Sequence, residues 1–329
     1  MFTISYRIEK MIKKIDNNRE ILIKKFEKAT ERRNKYQECY EDNWVLKKVI
    51  RRLLKFKYKY LKYLFSVIVR KSLPLSIQTF WGDNFHCFLP GSIDIYITGL
   101  LSHPAELKLT FYFVKYLHKN CIFFDAGAHY GFYTLLARRL IVEGEIHSFE
   151  PSPHNFNILK KNVMNKSGII LNNLALYNKG GKILFYTMSP ESSAGDTIDI
   201  RLFLRTHDIN KFKYKKIHVP TMTLNEYCKN NHIFPDFIKI DVEGAEQYVI
   251  EGATDILTSH SPIISLEIWK SPMPNESHLK AVEILYSLGY KSYFIKENGE
   301  LELKEKFSLL KCLQKNNNEN FDNFIFKKD

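Results

Sequence analysis

Three groups of residues have the types and spacing to do chemistry. The first is Asp125-Ala126-Gly127-Ala128-His129-Tyr130-Gly131, between the apolar run Cys121–Asp125 and a helical pattern over Phe132–Leu140. Glycines at 127 and 131 remove side chains where a strand-to-helix turn must be tight and a ligand must approach the backbone. Glu150 follows the next strand-like segment, Glu145–Phe149. A carboxylate there can accept hydrogen bonds from both hydroxyls of a ribose. The spacing D-x-G-x-x-x-G nevertheless departs from the dinucleotide pattern G-x-G-x-x-G. The second group is Lys239-Ile-Asp241-Val-Glu243-Gly244-Ala-Glu246, again where a strand gives way to a helix. Acids in a first helical turn complement the helix dipole, which is the reading for Glu246. Asp241 and Glu243 lie nearer the strand end and are placed to reach a ligand. The third is Glu267 in Ser265-Leu-Glu267-Ile-Trp269. A carboxylate flanked by apolar residues on a central strand is costly to bury without a partner, so Glu267 serves either structural hydrogen bonding or substrate contact.

The elements that must position these residues read as repeated β-α-β units from about residue 76. Strands are expected at 121–125, 145–149, 169–174, 237–240, 262–268, 290–295 and 323–326, with helices at 132–140, 153–164, 224–230, 245–257 and 278–288. A hairpin-like stretch turns at Asn178–Gly181, and a polar loop covers Ser189–Lys215, with Ser192, Ser193, Gly195 and Asp196 and a basic finish at Lys211, Lys213, Lys215 and Lys216. Such alternation requires right-handed crossovers and gives an α/β fold with a mostly parallel sheet covered by helices. The loop is either a substrate lid or a variable surface segment.

Residues 1–71 have a different texture and are expected to form a basic helical arm, with residues 72–329 as the catalytic domain. The arm holds 21 Lys+Arg against 8 Asp+Glu, whereas the remainder holds 28 of each. The net charge of +13 therefore belongs to the arm. Ile8, Met11, Ile15, Leu22, Phe26, Ala29 and Tyr36 recur at spacings close to 3.5, interrupted by Asn18, Lys25 and Arg33, as in a short coiled coil. Leu46, Ile50, Leu53, Leu61, Leu64 and Ile68 make an apolar stripe amid basic residues, a basic amphipathic helix. That helix suits an anionic membrane surface, or packs on the domain or a second subunit. The N-terminal helices are thus also candidates for homo-oligomer contacts. Five cysteines (Cys39, Cys87, Cys121, Cys228, Cys312) are widely spaced and odd in number, which argues against a disulfide framework and for a reducing, cytoplasmic location. The first residues lack the apolar core of a signal peptide. The longest candidate membrane stretch, Tyr63–Val69, is far short of the ~20 residues needed to span.

In order, FFDAGAHYGFYTLLA, SFEPSP, LALYNKGG, TLNEY, FIKIDVEGAEQYVIEGA and SLEIW resemble the FkbM-type S-adenosylmethionine-dependent methyltransferases. The likeness covers roughly residues 95–327, and K-I-D-V-E-G-A-E is its most specific block. It implies a class I methyltransferase (Rossmann-like) sheet of seven strands, the last one antiparallel. It also implies O-methylation of hydroxyls on sugars, glycans or secondary metabolites. Carried over by position, Asp125 to Gly131, including Ala126, Ala128 and His129, line the methionine end of S-adenosylmethionine. By the same carry-over Glu150 binds the ribose, and Asn173 and Ala175 flank the adenine. His129 stands where Asn is more usual and Asn225 where Asp is common; Asn225 is expected to cap its helix.

Methyl transfer from a sulfonium is an in-line displacement, and a hydroxyl acceptor needs a general base or a metal to take its proton. Asp241 or Glu243 is the expected base, with Glu267 or His129 next. A magnesium ion on Asp241 and waters is the alternative, although no ligand cluster is visible in the sequence. A nucleic-acid methyltransferase is disfavoured: the region after the fourth strand reads Asp241-Val-Glu243-Gly244, not N-P-P-Y, and the catalytic portion carries no net charge. A catalytically silent scaffold with the same fold is the other rival.

Overall fold

In a computed structural model of the chain, residues 2–38, 45–69, 71–189, 195–200, 214–269, 276–306, 309–310 and 321–329 are described. Cys39, Cys312, Ser192, Ser193, Lys211 and Lys213 lie outside the described residues, as do the side chains of Ile8, Met11, Ile15, Leu46, Ile50 and Leu53. Two long helices come first, α1 (Phe2–Gln37) and α2 (Val45–Val69). They are followed by an antiparallel hairpin of β1 (Leu73–Gln78) and β2 (Asn84–Leu89), then α3 (Ile93–Thr98) and α4 (Pro104–Tyr116). The alternating part begins with β3 (Phe123–Ala126), α5 (Phe132–Leu140), β4 (Ile146–Phe149), α6 (Pro153–Val163) and β5 (Ile169–Asn172). Next come β6 (Ala175–Leu176), β7 (Gly181–Met188), β8 (Tyr214–Met222), α7 (Leu224–Asn231), β9 (Phe237–Ile240), α8 (Glu246–Glu251) and α9 (Thr254–Ser259). The last elements are β10 (Ile263–Trp269), α10 (Glu276–Ser287), β11 (Lys291–Ile295), β12 (Leu301–Lys304) and β13 (Phe321–Lys327).

The main sheet runs β12-β11-β13-β10-β9-β3-β4-β5. Strands β5, β4, β3, β9 and β10 are parallel neighbours, and β13 inserts antiparallel between β10 and β11. This is the expected class I arrangement with its antiparallel closing strand. An eighth strand, β12, extends the edge by a turn in which the Lys296 N–H donates to the Glu300 carbonyl. Every residue of β3, β4 and β9 is buried, because helices cover both faces of a parallel sheet. Alternation sends Phe123 and Phe124 into separate hydrophobic clusters on the two faces.

Local departures from the sequence reading have local causes. The chain does reverse after Leu176, but β6 and β7 are not partners; β8 lies between them, parallel to β6 and antiparallel to β7. Because β8 begins at Tyr214, Lys215 and Lys216 belong to a strand and not to the polar loop. The helix expected over 245–257 splits at Gly252, whose close approach to the Tyr177 carbonyl leaves no room for a Cβ (2.1 Å). Thr223, not Asn225, caps α7: its hydroxyl accepts the Glu226 N–H while Glu226 accepts the Thr223 N–H. Asn225 instead ties α7 to α9 by accepting the Ile256 N–H.

Helix α1 lays Leu22, Phe26, Ala29 and Tyr36 on the body of the protein, with Phe26 stacked on Phe111 at 5.0 Å. Basic residues in and beside its stripe are latches, Lys25 and Arg33 among the interruptions and Arg19 next to one. Arg19 donates to the carbonyls of Lys115 and Leu117 at the C-terminus of α4, and Arg33 donates to that of Ser102. A cation at a helix C-terminus is favoured by the dipole. Helix α2 turns Tyr60 and Ser66 inward, with Arg52 against the rings of Tyr36 and Tyr60 (5.5 Å each). Lys59 donates to the Tyr96 carbonyl in α3. The apolar stripe expected on α2 is divided: Leu64 packs on the core, while Leu61 and Ile68 are exposed. Among the described residues no helix is long and apolar enough to cross a membrane. Cys87, Cys121 and Cys228 are buried free thiols.

Candidate active site

The turn after β3 is built on backbone conformations with positive φ at Gly127 (80°), His129 (50°) and Gly131 (88°). A Cβ on Gly127 would lie 1.8 Å from the Asp241 carbonyl oxygen, so the two motif loops touch backbone to backbone there. A Cβ on Gly131 would meet Leu159 of α6 at 2.4 Å. The turn is pinned to β4 through the N–H groups of Gly127 and Ala128, which both donate to the Phe149 carbonyl. His129 donates its own N–H to Glu150 Oε2 at 2.7 Å and stacks its ring on Tyr130. Burial pushes the His129 imidazole down to about 4, so it is neutral at physiological pH.

Glu150 lies beyond β4 with both oxygens already engaged, one by His129 and the other by the Ser152 N–H at 2.9 Å. Burial pushes its carboxyl up to about 8, and the nearby Asp196 charge adds to the effect. Asp196 is itself raised to about 7 by burial, while it accepts from the Met188 N–H and the Asn155 amide. Asp125 is buried beneath the turn, where its Oδ2 accepts from the Thr134 hydroxyl at 2.6 Å. Its Oδ1 has no hydrogen-bond donor among the described residues, and the Lys239 ammonium is 4.0 Å away.

The acidic centre is organised by Lys239, which β9 delivers into the protein interior. Its Nζ donates to Asp241 Oδ2 at 2.8 Å and sits 5.0 Å from the centre of the Tyr133 ring. Carboxylate oxygens of Asp241, Glu243 and Glu267 all lie within 4.8 Å of one another. From α4, Glu106 accepts from the Tyr133 hydroxyl and the Asn323 amide, both at 2.8 Å. Burial opposes charge at each of these groups, and the outcome differs by neighbour. The Lys239 ammonium overcomes burial at Asp241 and holds its carboxyl below the usual range. Burial and then the Asp241 charge push Glu243 and Glu267 well above theirs. Burial is also the chief cause at Glu106, which is raised too. Burial works against the Lys239 ammonium, but Asp241, Asp125 and Glu106 together raise it. The hydrogen bond between the two side chains lowers Asp241 and raises Glu267, so a proton shared by this pair favours Glu267.

The loop bearing Glu243 is held from below. Glu246 Oε1 accepts the N–H groups of Val242 (3.3 Å) and Gly244 (3.1 Å), and its Oε2 faces buried His278 at 3.3 Å. This is more than capping, since the contacts shape the turn that sets Glu243 at φ 53°. Thr197 donates to the Glu243 carbonyl at 2.7 Å, so residues of the polar loop reach this turn.

One cleft at the C-terminal ends of β3, β4 and β9 collects Asp125, Ala126, Gly127, Ala128, His129, Glu150, Ala175, Asp241, Glu243 and Glu267. Two of the residues expected there do not line it. Gly131 shapes the turn against Leu159, and Asn173 donates to the carbonyls of Glu150 and Pro151. Sequence reasoning missed Glu106, Tyr133, Asn155 and Asp196 on the wall, and left Lys239 without a role. Lys239 had a signal: a lysine inside the apolar strand Phe237–Ile240 is as costly to bury as Glu267, and its attraction to Asp241 and Asp125 offsets that cost. Glu106, in an ordinary amphipathic helix, had none.

The donor set fits a nucleoside ligand with a cationic end. Glu150 offers a carboxylate beside the glycine turn, Asp125 Oδ1 is short of a donor, and five acids surround a single ammonium. Oxygen donors grouped like Asp241, Glu243 and Glu267 also suit a hard divalent cation. Lys239 already pairs Asp241 directly.

The family model for the methyltransferase FkbM domain matches residues 125–292, just over half of the chain. The chain is 27% identical over 143 residues to Methyltransferase 1 of Beauveria bassiana, a match covering 40% of this chain and 57% of that protein's length. Among solved structures, it is similar to the methyltransferase FkbM of Methylobacillus flagellatus (12% identity, 71% of this chain and 52% of that one, TM-score 0.41). It is also similar to precorrin-6y C5,15-methyltransferase of Geobacter metallireducens (15% identity, 68% and 88%, TM-score 0.38). With the glycine turn, Glu150 and the K-I-D-V-E-G-A-E loop converging on one cleft inside the matched region, the chain belongs to the FkbM methyltransferase family.

Proposed function

We propose that the chain transfers a methyl group from S-adenosylmethionine to a hydroxyl oxygen of a sugar, glycan or secondary metabolite. The observation that carries this reading is the Asp241 carboxylate, paired at 2.8 Å to buried Lys239 and grouped with Glu243 and Glu267 in the cleft that also holds the glycine turn and Glu150. Glu150 is placed to receive ribose hydroxyls, the Asp125–Gly131 turn to hold the methionine portion, and Ala175 to wall the adenine. When bound, the cofactor supplies an electrophilic methyl group on a sulfonium. Its positive charge suits a site with more acids than bases.

Asp241 orients the acceptor hydroxyl and takes its proton as the new carbon–oxygen bond forms. A carboxylate is a weak base toward a free alcohol, but a methylated, still protonated oxygen is a strong acid, so late transfer suffices. Lys239 keeps Asp241 ionised and fixes its rotamer. Glu243 and Glu267, whose carboxyls burial and the Asp241 charge push well above the usual range, offer hydrogen bonds to neighbouring hydroxyls of a polyol. A magnesium ion on Asp241, Glu243 and Glu267 is a second reading, supported by their 4.8 Å grouping.

The test is transfer of labelled methyl from S-adenosylmethionine to glycan, phenolic and RNA fractions, with and without a chelator. Label in the glycan or phenolic fraction is expected. Asp241→Asn should lower turnover about 10²-fold or more while S-adenosylhomocysteine still binds in calorimetry. Failure of the intact chain to bind S-adenosylhomocysteine, or normal turnover by Asp241→Asn, would overturn the assignment. Loss of activity on chelation, restored by magnesium, would select the metal reading.

A further inference from the structure

Among the described side chains of helix α2, one set is used by the fold and another is not. Tyr60 and Ser66 are buried, Arg52 lies over the Tyr36 ring of α1, and Lys59 donates to the Tyr96 carbonyl of α3. The other face carries Tyr58 (74% exposed), Leu61 (54%), Phe65 (57%) and Ile68 (77%), at spacings of three, four and three residues. That spacing keeps the four on one side of the helix through almost three turns. Thirteen large apolar side chains are exposed among the described residues, and five of them, these four and Val67, fall between Tyr58 and Ile68. A concentration of this kind marks a contact surface.

The charge around the stripe selects its occupant. Residues 45–71 contain ten Lys and Arg and no Asp or Glu; Arg52 and Lys59 among them are engaged within the fold. A second copy docking by the same face would oppose two strongly positive helices, and residues 72–329 supply no compensating excess of acid. A surface both apolar beneath and anionic above satisfies the whole face at once, since the stripe enters the acyl boundary while the lysines and arginines meet phosphate.

We propose that the Tyr58–Leu61–Phe65–Ile68 face of α2 lies on an anionic lipid bilayer, holding the protein there as a peripheral membrane protein. The helix reaches the cleft through a single element. Lys59 holds the Tyr96 carbonyl of α3, and Ser92, Asp94 and Ile95 at the start of α3 line the cleft. Docking through α2 therefore sets the cleft within one helix of the lipid surface. It does not depend on which acceptor is methylated.

The experiment is cosedimentation of the intact chain with vesicles of phosphatidylcholine alone and of phosphatidylcholine with phosphatidylglycerol. It is run beside Leu61→Ser/Phe65→Ser, whose substituted side chains are exposed, so that circular dichroism and S-adenosylhomocysteine binding should match the parent. The expected result is binding to the anionic vesicles only, weakened by salt and reduced about tenfold or more in the double variant. Absence of the intact chain from the anionic vesicle pellet at low salt overturns the proposal. Equal binding by the double variant overturns it too, because the basic arm would then be adsorbing without the stripe. A dimer in solution that the double variant dissociates, with vesicle binding unchanged, would give the face to a second copy.

Discussion

Glu150 is where a single protonation couples to the ligand. Its carboxyl, pushed up to about 8, holds a proton in the free protein at neutral pH, whereas ribose hydroxyls donate best to the ionised form. If Glu150 binds the ribose as proposed, nucleoside binding is expected to expel a proton. Affinity for S-adenosylhomocysteine should rise with pH, by about tenfold per unit well below the Glu150 value, and level off above it. Folding of the free protein carries the opposite sign. A carboxyl raised above its unfolded value of about 4.3 contributes stability that is complete in acid and lost as pH climbs toward about 8. Calorimetry across that range should show the rise in affinity in the parent and a weak, flatter profile in Glu150→Gln. A steep profile in the variant would assign the proton elsewhere.

The elements bring the two motif loops so close that a hydrogen atom is all that fits between them. Gly127→Ala would place a methyl 1.8 Å from the Asp241 carbonyl in a backbone at φ +80°. The expected cost exceeds about 4 kcal/mol, seen as insoluble expression or a large drop in Tm; a native Tm would refute the close approach. The glycine pattern, the strand ends and Glu150 were legible because each is a local requirement: a turn needs Gly, and a buried parallel strand needs an unbroken apolar run. The partners of those residues were not. Glu106 and Asn323 meet across 217 residues, and nothing local in Pro104–Tyr116 marks one acid among its amphipathic pattern. For the same reason α1 showed its stripe but not its partner. The residues that interrupt that stripe, Lys25 and Arg33, turned out to bind carbonyls of Trp81 and Ser102.

At the scale of the whole molecule, the charge and the core divide the chain differently. By charge the first 71 residues stand apart; by packing, Leu22, Phe26, Ala29 and Tyr36 belong to the same hydrophobic cluster as Phe113 and Phe123. Removing residues 1–71 would strip Phe80 and Phe111 of the Phe26 ring and uncap α4. The expected result is a truncated protein with a lower Tm and a tendency to aggregate. Thermal unfolding of both forms tests this, and an unchanged Tm would make the arm a separate unit.

Strand β13 bears on the order of assembly. It enters between β10 and β11, so the sheet cannot be completed from one edge outward as synthesis proceeds. Until residues 321–327 arrive, two strands keep open edges in the middle of the protein. Lys108 then waits without Asp322, its buried partner 214 positions later, and Glu106 waits without Asn323. Closing the sheet and completing the acidic centre are one event, and it comes late. A ribosome-bound chain stopped short of that strand is a gapped sheet, a natural client for a chaperone, and has no finished site to offer a ligand.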